Sequence, residues 1–204
     1  FLDDDLRVED NFVAQMRKYA KEFDGFTFHM IQKGPVNTFS FAEKHFLKRI
    51  SSPLIGKVLP FMGLVFGGFY IKSKKIRKID HMMGCCIIYD FSKNREKRFD
   101  MNLNEGNYSG EDTEFSYGLK KSGNELYFVG SHTFVHDAAD FGGCRSKDRS
   151  MAFFWYWKHK LYIIRKYHSK SILFFARFSC FFESLLLSVF LKKNLIGKYF
   201  KALK

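Results

Sequence analysis

Three acidic residues, Asp3, Asp4 and Asp5, directly follow the apolar pair Phe1 and Leu2. Adjacent carboxylates repel one another, and a bound divalent cation relieves that repulsion because hard cations prefer oxygen ligands. An acidic turn or the start of a helix would account for the same residues, since carboxylates are also favourable near helix N-termini. The residue types therefore allow two interpretations, a metal site and an acidic turn.

A second acidic pair, Glu111 and Asp112, follows Gly110 and precedes a segment with helical spacing of apolar residues. Carboxylates at a helix start often act only as caps. Alternatively, such a carboxylate can serve as a general base that faces a cleft. His136 lies at the end of a segment that resembles a strand, where a single histidine is either structural or a metal ligand.

The segments that carry these residues alternate between helical and extended patterns. We predict a helix that begins at Asp10 or Asn11 and ends near Phe23, and a second helix over 112–122 with Gly123 as its stop signal. Strands are predicted at 25–32, 85–90 and 125–136. Segment 52–71 is apolar, but prolines and a lysine interrupt it, so we expect a loop or interfacial segment. This mixture of elements predicts an α/β fold.

Read in order, the motifs form a longer pattern. The acidic triplet comes first, then Gly84-Cys85-Cys86 before a strand, then Phe99-Asp100, then GEDTEFSYGLKKSG, and finally a strand that ends at Val135-His136. This order resembles the family 2 inverting glycosyltransferases over about residues 1–136. The resemblance implies a partial GT-A fold, the Rossmann-like nucleotide-diphospho-sugar transferase fold, followed by a C-terminal helical tail.

The resemblance assigns the acidic triplet to the DxD motif of that family. Asp5 and Asp3 would bind Mg²⁺ or Mn²⁺, with His136 as a further metal ligand or a contact to the diphosphate. Asp3 or Asp4 would help to hold the ribose of the nucleotide-sugar donor or the metal. The metal would stabilise charge on the leaving nucleoside diphosphate as a Lewis acid.

The remaining roles fall on the glycine-containing motifs. Gly84 and Cys85 would line the pocket for the donor sugar, although two cysteines at this point depart from the small or polar residues of the family. Asp112 would be the catalytic base that deprotonates the acceptor hydroxyl, and Glu111 would orient the acceptor or share that role. The two carboxylates are adjacent in the sequence, so both remain candidates for the base.

Residues 151–204 form a basic, aromatic tail after a catalytic region at 1–150. The whole chain carries a formal charge of +13, and the tail has eleven basic residues against the single acid Glu183. Its apolar segment 171–191 is long enough to span a membrane, but Arg177 and Glu183 are costly in a bilayer centre. We expect a helix in the membrane interface or, alternatively, one packed on the catalytic region.

The expected function is transfer of a sugar from a nucleotide-sugar donor to a hydroxyl of a glycan or lipid-linked acceptor, with inversion, in cell-surface polysaccharide synthesis. The expected location is the cytoplasmic face of the cell membrane, as a peripheral protein. Because the strands that precede the DxD motif in this family would lie upstream of Phe1, a truncated and inactive remnant is the alternative. A nucleic-acid-binding module is a further alternative, but the chain has no recognised signature for one, and we expect no such partner.

Overall fold

A computed structural model describes residues 1–33, 52–103, 110–137 and 149–203. Within these ranges the chain forms seven strands and five α-helices, and the fold is mixed α/β, as the sequence predicts. The elements in chain order are β1 (Leu6–Val8), α1 (Phe12–Tyr19), β2 (Gly25–Lys33), β3 (Lys57–Leu59), β4 (Leu64–Phe66), β5 (Ile76–Ile79), β6 (Ile88–Tyr89), α2 (Glu111–Lys121), β7 (Leu126–Asp137), α3 (Arg149–Tyr167), α4 (Lys170–Leu191) and α5 (Ile196–Ala202).

The chain divides into two structural units that alternate along the sequence. The first unit comprises Phe1–Lys57, Phe66–Phe99 and Phe115–Asp140, and the second comprises Val58–Val65, Asp100–Glu114 and Phe141–Lys204. The catalytic region at 1–150 and the tail at 151–204 are functional assignments, and they stay predictions.

The first unit is built on a mixed sheet with β7 at its centre. Strand β2 pairs with β7 in parallel, β6 is antiparallel to β2, and both β5 and β1 are antiparallel to β7. The register between β2 and β7 shifts after Phe28, because Phe28 opposes Val129 whereas His29 opposes Thr133. Gly130 lies in this irregularity, where a Cβ atom would come within 2.6 Å of the Ser73 carbonyl oxygen.

Strand β7 is apolar on both faces because its side chains alternate between two cores. Leu126 and Phe128 enter one core, together with Phe115 of α2. Val129 enters the other core, together with Phe12 of α1. Each face of this sheet is therefore covered by a helix, as expected of a strand buried on both sides.

Most of the predicted elements are confirmed. Helix α2 and strand β7 agree with their predicted ranges to within one residue, and Gly123, with φ +93°, ends α2. Helix α1 ends earlier than predicted because Ala20 to Phe23 form turns that hydrogen-bond back to its last turn. The predicted strand at 85–90 is reduced to β6, since Cys86 closes a turn by donating to the Met83 carbonyl.

In the second unit, α3, α4 and α5 pack around the fully buried Trp157. Ser169 caps the start of helix α4, where its side chain accepts a hydrogen bond from the Ile172 amide at 3.4 Å, and Lys192 caps the end of the helix with φ +50°. Segment 52–71 contains β3, β4 and single 3₁₀ turns, and no helix long enough to span a membrane. Gly63 follows one of these turns and lies against Cys180 of α4.

Candidate metal centre

The acidic turn at Asp3–Asp5 is fixed by backbone pairing on both sides. Before the turn, the Asp3 amide donates to the Cys85 carbonyl at 3.2 Å. After the turn, β1 pairs with β7 so that Leu6 lies opposite His136. The Asp137 amide also donates to the Asp5 carbonyl at 3.0 Å. These contacts place the acidic turn beside the C-terminal end of β7.

This pairing brings Asp3, Asp5 and His136 together. The Nε2 atom of His136 lies 3.1 Å from Oδ1 of Asp5 and 3.9 Å from Oδ2 of Asp3. The side chain of His136 is 18% exposed, that of Asp5 is 37% exposed and that of Asp3 is 51% exposed, so the group opens to solvent on the Asp3 side. We call these three residues the acidic triad.

The acidic triad fits a divalent cation. One ligand atom from each residue can be chosen so that all three lie within 4.8 Å of one another. Within the described residues, Oδ1 of Asp5 is shielded from solvent and makes no hydrogen bond, although Nε2 of His136 lies 3.1 Å away. Buried polar atoms normally have a partner, and a cation held by both residues would supply one to each. Two carboxylates and one imidazole leave coordination positions for water or a ligand, and carboxylate oxygens suit Mg²⁺ and Mn²⁺.

Arg7 and Asp137 form an ion pair across β1 and β7, next to the acidic triad. The hydrogen bond from Arg7 lowers the pKa of Asp137 below its ordinary value, and the charge of Arg7 adds to this effect. The Arg7 side chain is 63% exposed and that of Asp137 is 34% exposed, so solvent screens the pair and it adds little stability by itself. Its position fixes the strand end that carries His136. Sequence reasoning missed it, although opposite charges on paired strands are a known stabilising pattern.

The residues predicted to bind the donor lie in and beside the same turn. Asp4 is exposed and is not one of the three residues that converge. Gly84 lies in the turn that Cys86 closes onto Met83. The Cys85 side chain is buried, with Sγ 3.8 Å from the Met30 sulfur, and the backbone carbonyl of Cys85 accepts from the Asp3 amide. The backbone of Cys85 thus connects the Gly84-Cys85-Cys86 motif to the acidic turn at Asp3–Asp5.

Glu111 and Asp112 occupy the first turn of α2, in the second unit. Gly110 precedes them with φ +125°, a conformation that other residues rarely adopt. Oδ1 of Asp112 accepts from the Thr113 amide at 2.7 Å. An N-cap side chain accepts from an amide two or three residues further on, so this bond to the next residue is a different, local contact. It holds the carboxylate in one orientation at the helix start.

Sequence reasoning missed a polar cluster around Lys166 in the second unit. Its Nζ atom lies 2.5 Å from Asp100 and 2.8 Å from the fully buried Glu114. Tyr162 donates to Asp100 at 2.7 Å, and Tyr167 donates to Glu114. Burial raises the pKa of Asp100, but the hydrogen bonds from Lys166 and Tyr162 outweigh it and lower that pKa. We call these five residues the Lys166 cluster.

Comparison with known proteins gives no match, whether to a family model, to a curated protein or to a solved structure. The resemblance to family 2 glycosyltransferases therefore stays a prediction that rests on the order of the motifs. The fold and the acidic triad define a mixed α/β protein with a candidate divalent-metal centre.

Proposed function

We propose that this chain is the metal-binding and catalytic part of an inverting glycosyltransferase with a partial GT-A fold. The observation that carries the proposal is the convergence of Asp3, Asp5 and His136. The resemblance in motif order implies the same three residues as metal ligands. The pairing of β1 with β7 supports it, because that pairing brings residues from distant parts of the chain to one point.

In the proposed mechanism, Asp3, Asp5 and His136 would hold Mg²⁺ or Mn²⁺. When bound, the cation would supply Lewis-acid stabilisation of the negative charge that develops on the departing nucleoside diphosphate. One carboxylate oxygen of Asp5 is shielded from solvent. The half-exposed carboxylate of Asp3 lies on the open side, where a donor can approach.

The donor would lie against the turns that flank the acidic triad. Asp4 is exposed there and offers a carboxylate to accept hydrogen bonds from ribose hydroxyls. Gly84 lets the backbone approach a sugar closely because it has no side chain. Cys85 contributes its backbone, since its thiol is buried.

The proposed transfer is a single displacement. Asp112 accepts the proton of the acceptor hydroxyl as that oxygen forms a bond to the anomeric carbon. The bond from the anomeric carbon to the diphosphate oxygen breaks on the opposite face, so the configuration inverts and the diphosphate leaves with the electron pair. Glu111 orients the acceptor or shares the base role. The proposed acceptor is a glycan or lipid-linked hydroxyl in cell-surface polysaccharide synthesis.

The first test is Mn²⁺ binding by the chain itself, measured by thermal shift and by titration calorimetry. Asp5→Ala and His136→Ala are each expected to weaken binding at least tenfold. Asp10→Ala removes an exposed acid outside the acidic triad and is the matched control. Saturation at a hundred times the dissociation constant stabilises the folded chain by about 2.7 kcal/mol. Equal Mn²⁺ binding by Asp5→Ala and Asp10→Ala would remove the metal centre from the proposal.

The second test adds UDP, GDP or dTDP to the Mn²⁺-loaded chain. We expect one nucleotide to give a further shift that disappears in Asp5→Ala. In a transfer assay with that donor class, Asp112→Asn or Glu111→Gln should abolish release of the nucleoside diphosphate while Mn²⁺ binding persists. Mn²⁺ binding without a shift for any nucleotide would overturn the transferase proposal and favour the inactive remnant.

A further inference from the structure

Helix α4 exposes large apolar side chains along its whole length. Eight of them have exposed fractions between 38% and 78%: Phe174, Phe175, Phe178, Phe182, Leu185, Leu186, Val189 and Phe190. At about 100° per residue they fall within an arc of about 160° on one side of the helix. We call this set the apolar face. A contiguous exposed apolar surface of this kind marks an interaction site.

The opposite side of α4 is committed to the second unit. Ala176, Cys180 and Ser184 are fully buried there. Glu183, the only acid in α4, accepts hydrogen bonds from Lys160 and from the Trp157 indole, each at 3.0 Å. Glu183 is therefore hydrogen-bonded to residues of α3, and the apolar face contains no charged residue.

The apolar face continues onto the 3₁₀ turn at Pro60–Met62. Phe61 and Met62 of this turn are 59% and 56% exposed. The Phe61 ring lies 6.1 Å from the Phe175 ring, so the two surfaces are continuous. This segment lies far from α4 in the sequence, and its exposed side chains enlarge the same patch.

Cationic residues border the apolar face at both ends. Lys170 is the first residue of α4, and exposed Lys192 and Lys193 follow its last residue. Lys198 and Lys201 add positive charge on α5. A lysine near an anionic lipid surface contributes about 1 kcal/mol to binding. The apolar face could thus contact the hydrocarbon of a membrane while the lysines at its ends contact the anionic headgroups.

Two orientations in a membrane are conceivable for α4. In the described part of the chain it is the one helix long and apolar enough to cross a membrane, by length and composition. A spanning orientation would place the Glu183–Lys160 pair, midway along the helix, at the depth of the hydrocarbon, which is costly. An orientation parallel to the surface keeps this pair on the protein side.

We propose that α4 lies in the plane of an anionic membrane surface, with the apolar face inserted at the border of the hydrocarbon and α3 and α5 behind it. The proposal rests on the second unit alone and does not depend on glycosyl transfer. In this arrangement α4 packs on α3 and α5 and presents its apolar face to lipid.

The test is co-flotation of the chain with vesicles of phosphatidylcholine alone or with added phosphatidylglycerol. The wild type is expected to float with the anionic vesicles, and binding should weaken as salt rises. The double variant Phe178→Glu/Phe182→Glu should bind at least tenfold more weakly. The control Val13→Glu/Phe91→Glu makes the same charge change at two exposed apolar residues elsewhere and should stay within threefold of wild type. Equal loss in both double variants would overturn the proposal.

Two further measurements separate the other occupants and orientations. A protein that self-associates without lipid, becomes monomeric in Phe178→Glu/Phe182→Glu and binds no vesicles would show that a second copy covers the face. For orientation, tryptophan is placed singly at Phe174, Phe182 or Phe190, and the added fluorescence is quenched by lipids brominated at shallow or deep positions. For an in-plane helix, Phe174 and Phe190, at the two edges of the arc, should lie at equal, shallow depths, and Phe182, at its centre, should lie deeper. Depths that change steadily from Phe174 to Phe190 would overturn the in-plane orientation.

Discussion

Replacing Lys166 with methionine removes the cation that joins Asp100 and Glu114, while it keeps most of the aliphatic volume. Glu114 retains its bond from Tyr167, and Asp100 retains its bond from Tyr162. Neither tyrosine can neutralise a carboxylate. The variant therefore removes the positive charge that Lys166 supplies to two poorly solvated carboxylates, and we expect the second unit to lose stability.

The expected loss in the free energy of unfolding depends on how exposed the three charged side chains are. The Glu114 side chain is 0% exposed and that of Asp100 is 10% exposed, whereas Lys166 is 37% exposed. Breaking a buried ion pair costs about 3–5 kcal/mol, and water around Lys166 favours the lower end of that range. Two hydrogen bonds to charged groups, at about 1.5 kcal/mol each, give the same value. We expect a loss of about 3 kcal/mol, or about 6–12 °C in Tm.

The assay is denaturant unfolding followed by tryptophan fluorescence, because Trp155 and Trp157 both lie in α3 and report on the second unit. In a Glu114→Gln background, Lys166→Met should cost about 1 kcal/mol less, since one of the two buried charges is already absent. Lys170→Met is the matched control and should change stability by less than about 0.5 kcal/mol. A loss for Lys166→Met no larger than that control, or strict additivity with Glu114→Gln, would refute the role of the cluster.

Gly110→Ala should destabilise the chain by about 1–3 kcal/mol in thermal unfolding, because its φ of +125° is strained for alanine, whereas Gly197→Ala in α5 should be neutral or stabilising. The pKa of Asp100 is lowered in the folded chain, so ionised Asp100 stabilises the fold above its unfolded pKa of about 4. This contribution is lost as the pH falls through the folded pKa. The stability gap between wild type and Asp100→Asn should thus shrink from about pH 6 to about pH 2, and a constant gap would contradict this. Burial raises the pKa of Cys86 to about 12 and of Cys180 to about 11, so peptide mass spectrometry should find both unalkylated by iodoacetamide until the chain unfolds.

The elements near the motifs could be predicted because their signals are local. Phe115 and Leu119 stand four residues apart on one face of α2, and Gly123 supplies the stop signal that the sequence indicates. The residues of β7 are sufficient by themselves to predict a strand. Its register shift beside Gly130 could not be predicted, since it depends on how the backbone near Ser73 packs against it.

The candidate site was predictable only as a set of residues, not as a geometry. The motif order named Asp3, Asp5 and His136, but no local pattern shows that β1 and β7 are partners. For the tail, likewise, the sequence does not show which of its charged residues form ion pairs. Lys160 and Lys166 count as free positive charge in the sequence, yet each is paired with an acid through tertiary contacts.

The pairing of β1 with β7 also orders the events of folding. Arg7 and Asp137, which join these strands, are 130 residues apart. Closing a loop of that length costs about 4 kcal/mol of chain entropy, and β7 is synthesised long after the acidic turn. The acidic triad therefore cannot exist on a nascent chain until β7 has been made and docked. If the proposed metal centre binds an ion, metal capture would be a late event that follows completion of the first unit, and the ion would add its binding energy to the closure that created its site.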